Sequence, residues 1–159
     1  MRIMLLRPLL CDEYDAAEFY KLIRVNRIGK DHHLSHLKWA DDATFESTWN
    51  FLCDMDASDR DDFFFIFAED KIAGAITLRE MTLPTLYEQM IGYWVGKEFC
   101  GNGVATEAIR QILGRAKYGR VVAHIREDNL ASNRALTKNL FMDQGPLAEE
   151  GWRKLVWRK

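Results

Sequence analysis

A chain of 159 residues, 48% hydrophobic and 29% charged with a formal net charge of −2, has the proportions of a soluble globular protein with one sizeable core, and one domain spanning 1–159 is expected. Three cysteines without Cys-x-x-Cys spacing argue against a disulfide-stapled secreted module and a structural zinc site, which makes a reducing cytoplasm the expected location. The longest apolar stretch, 63–68, is far too short to span a membrane, and the opening residues, interrupted by Arg7 and Pro8, do not read as a secretory signal.

In chain order, Arg2 to Leu6 is a short apolar run that predicts a first strand. From Asp12 to Val25, residues Ala16, Phe19, Tyr20, Leu22 and Ile23 recur at helical spacing behind the acidic start Asp12-Glu13, which suits a helix N-terminus. Arg27 to Asp42 is a polar connection holding three histidines and Trp39, and a second helix is expected from about Thr44 with Phe45, Trp49 and Leu52 on one side. The runs 63–68 and 72–78, separated by Glu69-Asp70-Lys71, predict a β-hairpin in the middle of a sheet. Past a loop around Pro84, Tyr87 to Val95 predicts a further strand, in which Gly92, with Gly96 just beyond, signals a bulge or a close backbone approach. Val104, Ala105, Ala108, Ile109, Ile112, Leu113 and Ala116 form the apolar side of an amphipathic helix. Arg120 to Ile125 predicts a strand, Asn129 to Leu140 a short helix, and the tail divides at Gly151 into two more strands. The order β, α, α, β, β, β, α, β, α, β, β makes an α/β (α+β) sheet of mixed direction.

The charge is unevenly placed. Up to Met90 there are 10 basic against 17 acidic residues, or −7, and from Ile91 onward 12 against 7, or +5. A basic half beside an acidic half predicts an anionic ligand at one end and a cationic one at the other, although scattered surface charge gives the same count. No concentrated basic stripe with interleaved aromatics occurs, so a nucleic-acid partner is not expected.

Chemistry concentrates in 91–108, where a strand passes through Gly101-Asn102-Gly103 straight into a helix. Glycines permit positive φ and present successive N–H groups, and the helix N-terminus adds about half a positive charge, so the turn suits a phosphate. A dinucleotide fingerprint would need a third glycine where Thr106 stands, and strand-like segments precede the motif instead of following it. The better reading is the pyrophosphate loop of an acetyl-coenzyme A site. Ordered features support it along essentially the whole chain: Leu6-Arg-Pro-Leu9, Asn26 with His36-Leu-Lys-Trp39, Gly92-Tyr-Trp-Val95 followed by Gly101-Asn-Gly-Val-Ala-Thr-Glu-Ala108, and Asn129-Leu-Ala-Ser132 followed by Lys138 and Phe141. In these the chain resembles the GNAT superfamily of acyl-CoA N-acyltransferases, within it the RimJ/RimL-like branch of ribosomal-protein alanine N-acetyltransferases. Three departures stand out: Glu98 where Gln or Arg is frequent, Leu140 for the usual Gly before Phe141, and Leu136 where many members carry a tyrosine acid.

The resemblance implies a mostly antiparallel central sheet flanked by helices, with splayed central strands holding acetyl-CoA as co-substrate, no metal, and direct transfer of acetyl to a primary amine, either a peptide N-terminus or a small amine. Pantetheine amides would pair with the strand edge at Trp94 and Val95, and a bulge near Gly92 would open the gap. The pyrophosphate would rest on the N–H groups of Gly101, Asn102, Gly103, Val104 and Ala105. Thr106 is either a further donor or an ordinary first-turn residue, and Asn129 either touches the cofactor or only caps its helix. The Val95 N–H would face the thioester carbonyl, and Ser132 is the candidate acid for the departing thiolate. For the base, Glu149, Glu150 and Glu88 are candidates, although carboxylates in such positions are more often solvated surface groups. An α-amine, with a pKa of about 7.7 to 8.0, needs less help from a base than a lysine at about 10.4, so the lack of an evident base favours a weakly basic acceptor. His32 and His36 share helical spacing but lack the acidic partner of a zinc motif, and a polar loop is the better reading. Phe63 to Phe67 and the pair Trp152 and Trp157 suit the core, an acceptor pocket or the interface of a homodimer. A second class stays open: an acyl-CoA-binding regulatory or interaction protein with this fold and no catalysis.

Overall fold

The computed structural model describes residues 1–8, 12–28, 33–34, 37–83 and 86–159. Strands β1 (Ile3–Leu6), β2 (Asp61–Ala68), β3 (Lys71–Leu83), β4 (Leu86–Val95), β5 (Arg120–Arg126), β6 (Met142–Pro146) and β7 (Trp152–Arg158) form one sheet in the order β1-β2-β3-β4-β5-β7-β6. Every neighbouring pair is antiparallel except β4 and β5. This is the mostly antiparallel, helix-flanked sheet expected.

Strand alternation gives the sheet two apolar faces. Phe63, Phe65, Ala75 and Trp94 face one way and bury the apolar stripe of α1 (Glu13–Asn26), made of Ala16, Phe19, Leu22 and Ile23, together with Leu52 of α3 (Phe45–Ala57). Phe64, Ile66, Ile76, Leu78, Ile91, Val121 and Ala123 face the other way, onto Val104, Ala108, Ile109 and Ile112 of α4 (Val104–Leu113). Each large aliphatic side chain so buried contributes about 1.5–3 kcal/mol. The helix starts fall where their caps put them. The Asp12 carboxylate accepts from the Tyr14 N–H, and Thr44 and Ser47 form a reciprocal capping box.

The connection expected to be irregular contains a one-turn helix, α2 (Lys38–Asp42). It has no side-chain cap, and the Arg27 guanidinium holds it by donating to the carbonyls of Ala40 (2.9 Å) and Ala43 (2.6 Å). Helix α5 (Leu130–Lys138) begins one residue inside the expected span, with Asn129 as its cap.

The expected bulge at Gly92 is absent, because β3 and β4 pair without interruption from Gly74–Val95 through Thr77–Gly92 to Leu83–Leu86. The irregularity lies one strand over. Between β2 and β3 the register shifts, Ile66 opposing Gly74 while Phe67 opposes Ile72, which leaves Ala73 as the extra residue. Gly96 supplies the close approach: a Cβ there would stand 3.0 Å from Leu22 Cδ1 and 3.2 Å from Asn26 Nδ2, so β4 ends directly against α1.

Candidate active site

The sheet opens between β4 and β5. Their parallel pairing is confined to Gln89–Val121 and Met90–Val122, although β4 continues to Val95 and β5 to Arg126. The opening therefore comes from divergence of the two strands, not from a bulge. Gly96 donates to the Ala73 carbonyl at 2.7 Å, on the β3 side, so alternation turns the N–H and C=O of Val95 and Tyr93 into the gap. One group there already has a partner: His33 Nε2 lies 2.6 Å from the Val95 oxygen and, because a carbonyl only accepts, carries its proton on Nε2. Beside it, the Cys100 thiol points at the Gly96 carbonyl at 3.5 Å, and burial pushes its pKa up.

From Val95 the chain takes a 3₁₀ turn (Lys97–Phe99) into the glycine loop. Gly101 has φ +83° and Gly103 has φ +75°, the left-handed conformation that glycine adopts without strain. Whereas α1, α3 and α5 have side-chain caps, Gly103 begins α4 with no side chain over its end. The first N–H groups of α4, on Val104, Ala105 and Thr106, have no acceptor within the helix and keep their partial positive charge. The loop and the gap adjoin the same strand, so an anion at α4 and an extended amide chain along β4 would be continuous.

Helix α5 begins nearby. Asn129 Oδ1 accepts from the Ser132 N–H at 3.1 Å, so the capping role of Asn129 is real. Ser132 is half-buried, and its hydroxyl has no protein partner among the described residues. Tyr93, which sequence reasoning passed over, crosses from β4 to donate to the Ser132 carbonyl at 3.4 Å, and burial pushes its pKa up to about 12.

The three candidate bases differ in setting. Glu88 is buried and accepts from Arg120 Nε at 2.7 Å, on the strand segment where β4 and β5 still adjoin. Glu149 and Glu150 are exposed in the turn between β6 and β7. The structure adds His124. Two residues past the last β4–β5 pair, it is level with Gly92 across the gap, and its parity with Val122 turns it away from α4, toward the face of Trp94. It is exposed, and its pKa is lowered by partial burial and by Lys154, its cross-strand partner on β7, against an opposing pull from Glu88. Its imidazole is therefore neutral at pH 7. The signal in the sequence was its place in Arg120-Val-Val-Ala-His-Ile-Arg126, where an outward parity falls on a titratable residue.

On that same face a cavity of about 520 Å3 opens between the sheet and helices α1 to α3, with Gly92, Tyr93 and Trp94 in its wall. His32 and His36 lie outside the described residues, as does Leu9. Among the described residues no cluster of three or more His, Cys, Asp or Glu side chains could hold a metal ion, and no helix is long and apolar enough to cross a membrane.

Comparison with known proteins places this geometry. The probable N-acetyltransferase YjcK of Bacillus subtilis is 32% identical over 85 residues, 51% of this chain, and the match spans about half of that relative's length (47%). RimL, a ribosomal L7/L12 alpha-N-protein acetyltransferase solved with coenzyme A, superposes with a TM-score of 0.83 at 21% identity, over 98% of this chain and 93% of its own. RimJ of Mycobacterium smegmatis, solved with a CoA disulfide, gives 0.77 at 19% identity over 98% and 86%. Similarity to the acetyltransferase (GNAT) domain runs over residues 4–142, from the first strand past the gap, the glycine loop and α5, and the chain belongs to the GNAT acetyltransferase family.

Proposed function

We propose that this chain, as one domain over 1–159, is a cytoplasmic acetyl-CoA-dependent N-acetyltransferase that moves acetyl directly to a primary amine. The observation that carries the proposal is the continuity of the β4–β5 gap, into which the Val95 N–H points, with the uncapped start of α4 at Gly103. Gly101, Asn102, Gly103, Val104, Ala105 and Thr106 would hold the pyrophosphate, the backbone of Val95 and Tyr93 the pantetheine, in place of the expected Trp94, whose N–H and C=O are turned to β3, and Asn129 and Ser132 its far side. RimL and RimJ, with the same fold, were solved with coenzyme A or its disulfide, which supports this choice of co-substrate.

In this reading the Val95 N–H stabilises charge developing on the thioester oxygen. As the amine nitrogen forms its bond to the carbonyl carbon and the carbon–sulfur bond breaks, His124 takes the proton leaving nitrogen, and the Ser132 hydroxyl supplies one to the thiolate as it takes one from solvent, to which His124 then returns its own. Glu88, committed to Arg120, tunes His124 electrostatically, while Glu149 and Glu150 are exposed in the turn at the other end of β5.

The test is the mass of acetylated product across a panel of peptides, polyamines and other small amines, a readout insensitive to protein thiols such as Cys53 and Cys100. Acetyl-CoA binding without any acetylated amine would favour the non-catalytic binding protein instead. Two variants check the roles. Ser132→Ala is expected to lower kcat more than it raises KM for acetyl-CoA, because a donor to the thiolate acts in the transition state; an unchanged kcat with raised KM would make it a binding residue. His124→Gln is expected to reduce kcat by about 100-fold. It should also erase the loss of kcat on acidification, which in the wild type sets in below the ordinary histidine range because protonation removes the base. A variant that keeps that acid limb would remove His124 from the mechanism.

A further inference from the structure

Resting on the acetyl-transfer reading, we infer that the acceptor is a primary amine whose body is aromatic and carries no second charge. The cavity beside the gap is built from rings. Trp39 stands 6.3 Å from Trp94, Phe19 5.5 Å from Trp94, and Phe51 5.4 Å from Phe63, centroid to centroid. Trp39 and Phe51, about half exposed, form its mouth, while Phe19, Phe63 and Trp94 are buried and form its floor. Rings set at such angles accept another ring in offset or edge-on packing.

Polar groups on the wall are already engaged inside the protein. Ser47 and Thr48 bond to the Thr44 backbone, Thr77 points to the Gly92 carbonyl at 3.4 Å, and Tyr93 donates to the Ser132 carbonyl. Arg79 and Asp61, the only ionisable side chains on the wall besides Tyr93 among the described residues, pair with each other at 3.3 Å. A polyamine or a basic peptide would bring further charges against walls with no free counter-charge, and their desolvation would oppose binding. A single ammonium avoids this, because it travels with the amine to β4, where Gly92 and Trp94 close the cavity, while the ring stays among rings. The −7 charge of the N-terminal half attracts that cation at long range without selecting its body.

Two sources share this chemistry, a free arylalkylamine and a peptide whose first residue is aromatic. The experiment compares 2-phenylethylamine, a C-terminally amidated tripeptide starting with Phe and otherwise uncharged, spermidine and an amidated tripeptide starting with Ser-Lys, reading kcat/KM by product mass. It also measures calorimetric affinity of each amine for the CoA-loaded chain. At least one aromatic acceptor is expected to exceed both cationic ones by about tenfold or more, and which one leads identifies the source. Trp39→Ala and Phe51→Ala, at exposed positions, should each weaken the aromatic acceptor about tenfold with acetyl-CoA affinity held within about twofold. Preference for spermidine or the Ser-Lys peptide, or an aromatic acceptor indifferent to both variants, would overturn the inference while leaving acetyl transfer intact. If aromatic amines bind and both variants weaken them, yet no amine is acetylated, the ligand class stands and the transfer reading falls. Aromatic amines that neither bind nor react overturn the inference outright.

Discussion

Gly74→Ala is expected to lower the melting temperature by about 6–12 °C and to take acetyl-CoA binding with it. A Cβ at this position would sit far inside van der Waals contact distance of the Trp94 carbonyl oxygen, 3.0 Å from the Trp94 carbonyl carbon and 3.0 Å from Val95 Cα. All of these are backbone atoms, so no side chain can swing aside, and the end of β4 has to move away from β3. Overpacking of this kind costs about 3 kcal/mol, and in a chain of this size each kcal/mol is worth about 2–4 °C. The displaced segment, Trp94 and Val95, is the edge that lines the gap, so stability and cofactor affinity should fall together. Gly92→Ala is the control, since its Cβ would meet only the Thr77 hydroxyl, at 3.3 Å. Thermal melts and calorimetric titration with acetyl-CoA check both. A Gly74→Ala melting temperature within about 1 °C of the wild type would show that the two strands have slack here.

The two glycines show what a sequence discloses. Gly92 looked like the distorted position because a glycine within a strand signals a bulge. Its place is nevertheless regular, and the demanding residue is Gly74, whose constraint comes from a backbone atom 20 residues along the chain. Features set by neighbours in sequence were legible: the helix starts at Asp12 and Thr44, the hairpin at Glu69-Asp70, the glycine loop before α4. Features set across the sheet were not. Glu88 read as a candidate base or a surface carboxylate, and its strand placed it buried beside Arg120. His124 had no motif to mark it, and its interest arises from the divergence of β4 and β5, a three-dimensional fact. Helix α2 escaped because one turn without a cap has almost no intrinsic stability and is held from outside by Arg27. The aromatic run at Phe63 illustrates an intermediate case. Phe63 is core, as expected, since it packs under Phe19, and the same ring floors the cavity that the acceptor reading would use.

Gly103→Val is expected to weaken acetyl-CoA binding by at least about tenfold while the chain stays folded. No heavy atom lies within 4 Å of a Cβ at Gly103, so the protein has room for the side chain, and its volume alone should not unfold the domain. Conformation is the obstacle. The residue holds φ +75° and ψ 11°, and a left-handed conformation costs an L-residue about 1–2 kcal/mol, with β-branched residues worst served. Relief of that strain would rotate the peptide leading into Val104, the first of the N–H groups proposed to hold the pyrophosphate, and the two methyls would stand in the open space in front of the helix start. Gly103→Asn separates these effects, because asparagine tolerates the left-handed region but still adds bulk. If loop conformation governs affinity, the Asn variant should bind better than the Val variant; if obstruction governs, the two should lose affinity alike. Calorimetric titration of acetyl-CoA into each variant, with melts to confirm folding, decides between them. A folded Val variant with wild-type affinity would move the pyrophosphate away from the start of α4 and with it the assignment of the whole loop.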